Sequence, residues 1–219
     1  MKILITAGAT WVKIDAVRIL TNRFTGKTGL YLAKEFKKNG HKVKLLVNSH
    51  CLDEIRDRQV ITYQYFDEFK KAINKLLKQE YFDVIIHTAA VSDYKLKNSK
   101  SGKIASGKKQ ITLKLVPVPK IIKSIRSLAK KSLLIQFKLE TKREGLIEAA
   151  YASLKSNKSD YVVANALDDL SKAYRAFLID KDKKVKLIRS KQALFTTIHK
   201  IVNLSQNNKI KVYNYGLLD

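Results

Sequence analysis

A chain of 219 residues is long enough for one sizeable domain or two small ones, and at that length it removes ~70% of its unfolded surface from water without covalent staples. The single cysteine, Cys51, and four histidines exclude a disulfide framework and give no sign of a structural zinc site, and no apolar run reaches membrane-spanning length, which together fit a cytoplasmic protein. The net charge of +25 admits anionic ligands, but lysine outnumbers arginine and is spread along the whole chain, which argues for a compositional bias and against nucleic acid as the main partner.

In chain order, Ile3 to Thr6 reads as a buried strand rather than a signal peptide. A helix is predicted from about Lys27 to Lys38, with Leu32, Ala33 and Phe36 inward, and Asn39-Gly40 stops it. Strands follow at His41 to Val47 and Val60 to Tyr65. Phe69, Ile73, Leu76 and Leu77 then recur at the spacing of one helical face. Asp83 to Thr88 is a continuous apolar strand. Residues 93–110 break the rhythm with Lys, Ser, Gly and Asn, and read as a flexible flap. Ile111, Leu113 and Leu115 alternate with polar residues as a half-buried strand to Val116, which Pro117 and Pro119 end. Ile121, Ile122, Ile125 and Leu128 mark the next helix, Ser132 to Phe137 a strand, and Leu146, Ile147, Ala150 and Leu154 a helix. Tyr161 to Ala164 is a strand, and a hairpin is expected from Tyr174 to Ile179 and Val185 to Ile188. Leu194, Ile198 and Ile201 mark a last helix, and residues 206–219 read as a loose tail.

Strand and helix alternate with apolar strands, so the fold class is α/β: one doubly wound, mostly parallel, Rossmann-like sheet over residues 1–205, with a flap and a late β-hairpin. In such sheets ligands bind beyond the C-terminal ends of the strands. Three loops fall there: 7–26, 89–110 and the segment from Asn165. The first ends in Gly26-Lys27-Thr28-Gly29, which invites comparison with a P-loop. That motif needs glycine five residues before Gly26, and the position holds Thr21. The stretch is a helix start, with Thr25 as the expected N-cap, whose amides favour an anion.

Three polar constellations sit in these loops. Thr6-Ala-Gly8-Ala-Thr10 continues to Asp15-Ala-Val-Arg18 and Asn22-Arg-Phe-Thr-Gly26-Lys-Thr-Gly29; His87-Thr-Ala89-Ala90-Val-Ser-Asp93-Tyr94 is the second; Lys100-Ser-Gly-Lys103-Ile-Ala-Ser-Gly-Lys108 is the third. With the later runs LKLVPVPKII, QFKLE and DYVVAN, and in this order over residues 3–180, the chain resembles phosphopantothenate–cysteine ligase, the synthetase half of the bacterial flavoprotein of coenzyme A biosynthesis. It looks most similar to the form without the flavin-binding half.

The resemblance implies a ligase that joins 4'-phosphopantothenate to L-cysteine. CTP or ATP activates the carboxylate as an acyl-nucleotide with loss of pyrophosphate, Mg²⁺ assists, and no flavin is used. It implies a homodimer, with a separate phosphopantothenoylcysteine decarboxylase in the pathway. By the same resemblance Asn22 acts on the acyl-nucleotide and Lys103 of the flap on the phosphates. Gly8, Gly26, Gly29, Ala89, Asp93, Phe137 and Asn165 belong to nucleotide binding. Arg18, with Asn22, Ala90 and Asp93, belongs to substrate binding, Arg18 reaching across the dimer interface. The magnesium ligands are not identified.

The chain departs from the family pattern at Ala9 for a second glycine, Phe24 for a small serine, Gln136 for glycine, Ala152-Ser153 for a lysine, and Lys120 for a frequent aspartate. These leave the choice of CTP or ATP open. Two rival readings stand beside the ligase. Tyr151 and Lys155 have the spacing of a short-chain NAD(P)-dependent reductase pair, although the first loop lacks the glycines of a dinucleotide binder. A basic nucleotide- or RNA-binding protein on the same fold is the other; it lacks an aromatic and arginine platform for bases.

Overall fold

The computed structural model describes residues 1–52, 57–99, 101–170 and 174–215. Strand β1 (Lys2–Ala7) leads into a small hairpin, β2 (Trp11–Lys13) and β3 (Ile19–Thr21), and then helix α1 (Lys27–Lys38). Next come β4 (Lys42–Asn48), a 3₁₀ turn at Ser49–Cys51, β5 (Val60–Tyr63), α2 (Phe66–Gln79) and β6 (Val84–His87). The chain continues through β7 (Tyr94–Leu96), β8 (Leu115–Pro117), α3 (Ile121–Leu128), β9 (Leu133–Glu140), α4 (Leu146–Asn157) and β10 (Tyr161–Ala166). A short turn of helix, α5 (Leu167–Leu170), precedes the hairpin β11 (Ala176–Asp180) and β12 (Val185–Ile188), and α6 (Lys191–Tyr215) closes the chain.

Eight strands form one sheet in the order β12-β11-β10-β9-β6-β1-β4-β5. From β10 to β5 every pairing is parallel, and β11 and β12 add an antiparallel edge. Strand β1 has β4 on one side and β6 on the other, so the winding reverses between β1 and β6 and opens a crevice there. The sheet is buried on both faces. Ile3, Ile5 and Ala7 of β1 pack with Leu32 and Phe36 of α1 and with Leu194, Phe195, Ile198 and Val202 of α6. Leu4 turns the other way, into Phe69 and Ile73 of α2 and Ile121 and Ile125 of α3. Leu146, Ala150 and Leu154 of α4 cover the β10 end of that second face. This two-sided burial is why β1 and β6 read as unbroken apolar runs.

Several expectations need correction. The half-buried strand expected over Ile111 to Val116 shrinks to Leu115–Pro117; Ile111, Leu113 and Leu115 stand 48, 39 and 44% exposed, because the segment pairs with β7 outside the main sheet. The flap is not wholly loose: it begins as β7 and carries two buried side chains, Leu96 and Ile104. The N-cap of α1 is Gly26, at φ +69°, rather than Thr25. The tail is helical as far as Tyr215, since no Gly or Pro interrupts Lys191 to Tyr215; the rest of it lies outside the described residues. In the last helix Ile201 packs half-buried against the core, beside the fully buried Val202.

Candidate functional site

A cavity of about 670 Å³ opens where the winding reverses. Its floor is made by the C-terminal ends of β1, β6, β9 and β10, through Gly8, His87, Gln136 to Leu139, and Asn165. The N-terminal ends of two helices face it, Gly26 to Gly29 of α1 and Pro119 to Lys123 of α3. Neither helix has an acidic residue in its first turn, so both dipoles present unopposed positive ends. Lys27, Lys120, Lys123 and Lys138 also line it, and among the described residues Asp93 is the one carboxylate that does. Asp93 is itself ion-paired with Lys120. The electrostatic balance suits a polyanion.

The loop after β1 is tied down by its carbonyls. Tyr63 donates its hydroxyl to Ala7 O at 2.7 Å, and Asn48 Nδ2 donates to Ala9 O at 2.6 Å. Gly8 adopts φ +85°, and a Cβ there would lie 2.8 Å from Cys51 Sγ, so only glycine fits the turn. Ala9 needs no positive φ and bridges to Ala90, which explains why alanine is accepted where a second glycine was expected. Ala90 N donates to Gly8 O at 2.9 Å, and Ala90 O accepts from Asn22 Nδ2 at 3.2 Å. Gly8, Asn22 and Ala90 are thus knitted into one wall, with Asn22 exposed toward the cavity. Gly29 is buried; a Cβ there would fall on Thr88 Oγ1 and lie 2.6 Å from Ala7 Cβ, so its contribution is the close approach of α1 to the sheet.

Of the residues singled out from the sequence, Ala89, Asp93, Phe137 and Asn165 join these on the cavity lining. Asn165 spends its side-chain N–H on Arg175 O at 2.9 Å. Arg18 and Lys103 do not line this cavity. At the tip of the β2–β3 hairpin Arg18 meets the backbone of Ile104, the residue after Lys103: Asp15, wholly buried, accepts the N–H of Ile104 at 3.0 Å and pairs with the Arg18 guanidinium. The Ile104 amide foremost, with the Val17 and Arg18 amides and the guanidinium, holds the Asp15 carboxyl far below the usual carboxylate range against the effect of burial. His87 lines the floor with Nδ1 2.8 Å from Thr6 Oγ1, and burial lowers its pKa to about 4, so it is a neutral wall.

The sequence reading missed one side of the cavity. Gln136 is buried there, its Nε2 3.2 Å from Ser153 Oγ, and Asn157 Nδ2 donates to Gln136 Oε1 at 2.9 Å. Two of the departures from the family pattern, Gln136 and Ser153, therefore share one uncharged network beside Phe137. The i, i+4 spacing of Ser153 and Asn157 on a predicted helix was the available signal. Phe24 lines the mouth, half-buried. Tyr151 and Lys155 are absent from the lining: the Tyr151 hydroxyl donates to Lys181 O at 3.1 Å and Lys155 stacks over its ring, which removes the reductase pair from the site.

Residues 1–206 match the family described as the DNA/pantothenate metabolism flavoprotein C-terminal domain. The chain belongs to this family. It is 37% identical over 191 residues to the coenzyme A biosynthesis bifunctional protein CoaBC of Thermococcus kodakarensis, covering 86% of this chain and 47% of that protein. Among solved structures, the DNA/pantothenate metabolism flavoprotein from Streptococcus pneumoniae is 26% identical with a TM-score of 0.77, covering 97% of this chain and 99% of that one. The C-terminal domain of CoaBC is likewise 26% identical with a TM-score of 0.76, covering 94 and 96%. The chain spans about half the length of the curated relatives it matches. Among the described residues, no helix is long and apolar enough to cross a membrane.

Proposed function

We propose that this DNA/pantothenate metabolism flavoprotein C-terminal domain is a phosphopantothenate–cysteine ligase: it activates the carboxylate of 4'-phosphopantothenate with CTP or ATP, releases pyrophosphate, and joins the acyl group to the amine of L-cysteine. The observation that carries the reading is the gathering of Gly8, Asn22, Ala90, Asp93 and Phe137, from three separate stretches of sequence, onto one cationic cavity at the sheet's reversal point. The relatives named for coenzyme A biosynthesis support it.

In this reading the two helix N-termini and Lys27, Lys120 and Lys123 hold the phosphates and offset charge as pyrophosphate leaves. Asn22 donates an N–H to the acyl oxygen as cysteine attacks, exchanging its bond to Ala90 O for one to the developing oxyanion. Phe137 and the Gln136–Ser153–Asn157 network flank the base. Cysteine brings its own nucleophile, so positioning and charge stabilisation suffice and no protein nucleophile is required.

The donor set fits Mg²⁺ only as an ion carried in on phosphates. Among the described residues no group of three His, Cys, Asp or Glu could hold a metal, and Asp93 is the carboxylate available from the lining. When bound, the ion would neutralise phosphate charge. We place the enzyme in the cytoplasm as a homodimer, with the decarboxylation of its product by a flavoprotein unit outside residues 1–219.

The test is pyrophosphate release with Mg²⁺, 4'-phosphopantothenate and CTP or ATP, with and without cysteine. Cysteine-dependent phosphopantothenoylcysteine with one nucleotide establishes the ligase and its base preference. No product with either nucleotide would refute the reading.

A further inference from the structure

Asp15 is the one carboxylate at the hairpin tip that the proposed chemistry leaves unused, and its two oxygens have separate tasks. Oδ1 accepts the N–H groups of Val17 at 2.8 Å and Arg18 at 2.7 Å, the ordinary work of an Asx turn. Oδ2 faces the flap. It accepts the N–H of Ile104 at 3.0 Å and the guanidinium of Arg18, and the same guanidinium nitrogen donates to Ile104 O at 3.3 Å. Both backbone polar groups of Ile104 are therefore held. On the other side of Lys103, Gly102 O accepts the N–H of Ala16 at 3.4 Å. Lys103 lies between these anchors with its side chain exposed, while the Ile104 side chain is buried.

A turn by itself does not require aspartate. Asparagine offers the same Oδ1 acceptor and is as common in Asx turns. Only the second oxygen explains a carboxylate, because asparagine would set an NH₂ against two donors. The carboxylate is also wholly removed from water, an arrangement that persists only when all its partners are present.

We propose that Asp15 is a positioning residue, whose Oδ2 clasps Ile104 and thereby fixes Lys103 at the hairpin tip, outside the cavity lining of its own subunit, from where the flap lysine acts on the nucleotide phosphates of the proposed dimer. This rests on the ligase reading for the role of Lys103; the clasp itself rests on the geometry alone. The described residues 101–110 are exposed apart from Ile104, so the seat of the flap lysine is set chiefly by a group about 90 residues earlier in the chain.

The experiment joins two readouts on the whole chain. Amide hydrogen exchange compares the parent with Asp15→Asn at Ile104, Val17 and Arg18. The clasp predicts that Ile104 loses protection while Val17 and Arg18 keep theirs, since Oδ1 survives; unchanged exchange at Ile104 overturns the proposal whatever the activity. The second readout is kcat for Asp15→Asn, Lys103→Ala and the double variant. Misplacing Lys103 predicts a loss on the order of 10²-fold in Asp15→Asn. The double variant should fall no further than Lys103→Ala alone, the non-additivity expected when one residue acts through the other. Multiplying losses would show that Asp15 acts elsewhere and would overturn the positioning role. If the parent has no ligase activity but Ile104 is released in Asp15→Asn, the clasp stands and the ligase reading falls.

Discussion

Asn22 and Gly29 lie seven residues apart and contribute in opposite ways. Asn22 is exposed and holds one bond of 3.2 Å to Ala90 O, so truncation leaves the wall standing. Asn22→Ala should lower kcat by about 10²–10³-fold, the effect of removing one oxyanion donor, with the melting temperature nearly unchanged. A rise in KM of the same size with kcat intact would place Asn22 in ground-state binding instead. Gly29→Ala should do the reverse. The new methyl would press on Ala7 Cβ at 2.6 Å and on Thr88 Oγ1, which cannot swing away freely because it donates to Thr6 O at 2.7 Å. Overpacking of this kind costs about 1–3 kcal/mol, and in a chain of this length each kcal/mol lowers Tm by roughly 2–4 °C. Calorimetry on the variant checks it. The place of the glycines and of the Ala89-Ala90 pair on the cavity was legible because their spacing marks loops at strand ends, whereas Asn22 was singled out by the family resemblance. The positions of Arg18 and Lys103 were not, since a bond between a hairpin tip and a flap leaves no period in the sequence. The lone Ile104 in a run of Lys, Ser and Gly was the available trace.

Among the elements, the parallel strands and the core helices were legible because burial imposes a pattern: continuous apolar runs for strands covered on both faces, a single stripe for α2 and α3. The hairpins β2–β3 and β7–β8 were not. Each strand is three residues long, lies off the main sheet, and draws its order from its partner and from the neighbouring hairpin rather than from the core. These hairpins and the segment beside them also carry six of the eleven large hydrophobics that stand exposed among the described residues, including Val17 at 66% and Tyr94 at 53%. So many exposed apolar side chains on two adjoining hairpins suit an interface, and we assign them to the proposed dimer contact. Leu115→Asp, at a side chain 44% exposed, should cost the subunit about 0.5 kcal/mol or less yet shift sedimentation from dimer to monomer. A parent that sediments as a monomer at micromolar concentration would remove the assignment.

At the scale of the whole molecule two charge effects act on stability. A net charge of +25 repels itself, so added salt should raise Tm, most steeply at low ionic strength where the screening length changes most. The second effect is specific to two histidines on opposite sides of the sheet. Burial lowers His87 from 6.5 to about 4. Burial also lowers His41 to about 4, with the N-terminal ammonium, 3.4 Å from its Nδ1, and then His199 adding to it: His41 Nε2 is 3.1 Å from His199 Nε2, and the Phe36 and Phe195 rings close the cluster. A folded pKa below the unfolded one means that the unfolded chain binds more protons between the two values. Stability is therefore full above about pH 6.5 and is lost as pH falls from there to about 4. For the fully buried His87 a shift of that size corresponds to something on the order of 3 kcal/mol, and the partly exposed His41 contributes less. Paired carboxylates such as Glu80, whose pKa is lowered by Lys2 and Lys44, keep their contribution through most of this window, begin to lose it as pH falls through the ordinary carboxylate range, and lose the rest below it. Urea midpoints measured from pH 7.5 to 4.5 at fixed ionic strength should fall with this histidine profile, and His41→Gln should make the decline shallower. An identical slope in that variant would mean that its imidazole is solvated in the folded chain, and the acid sensitivity would then rest with His87 at the floor of the cavity.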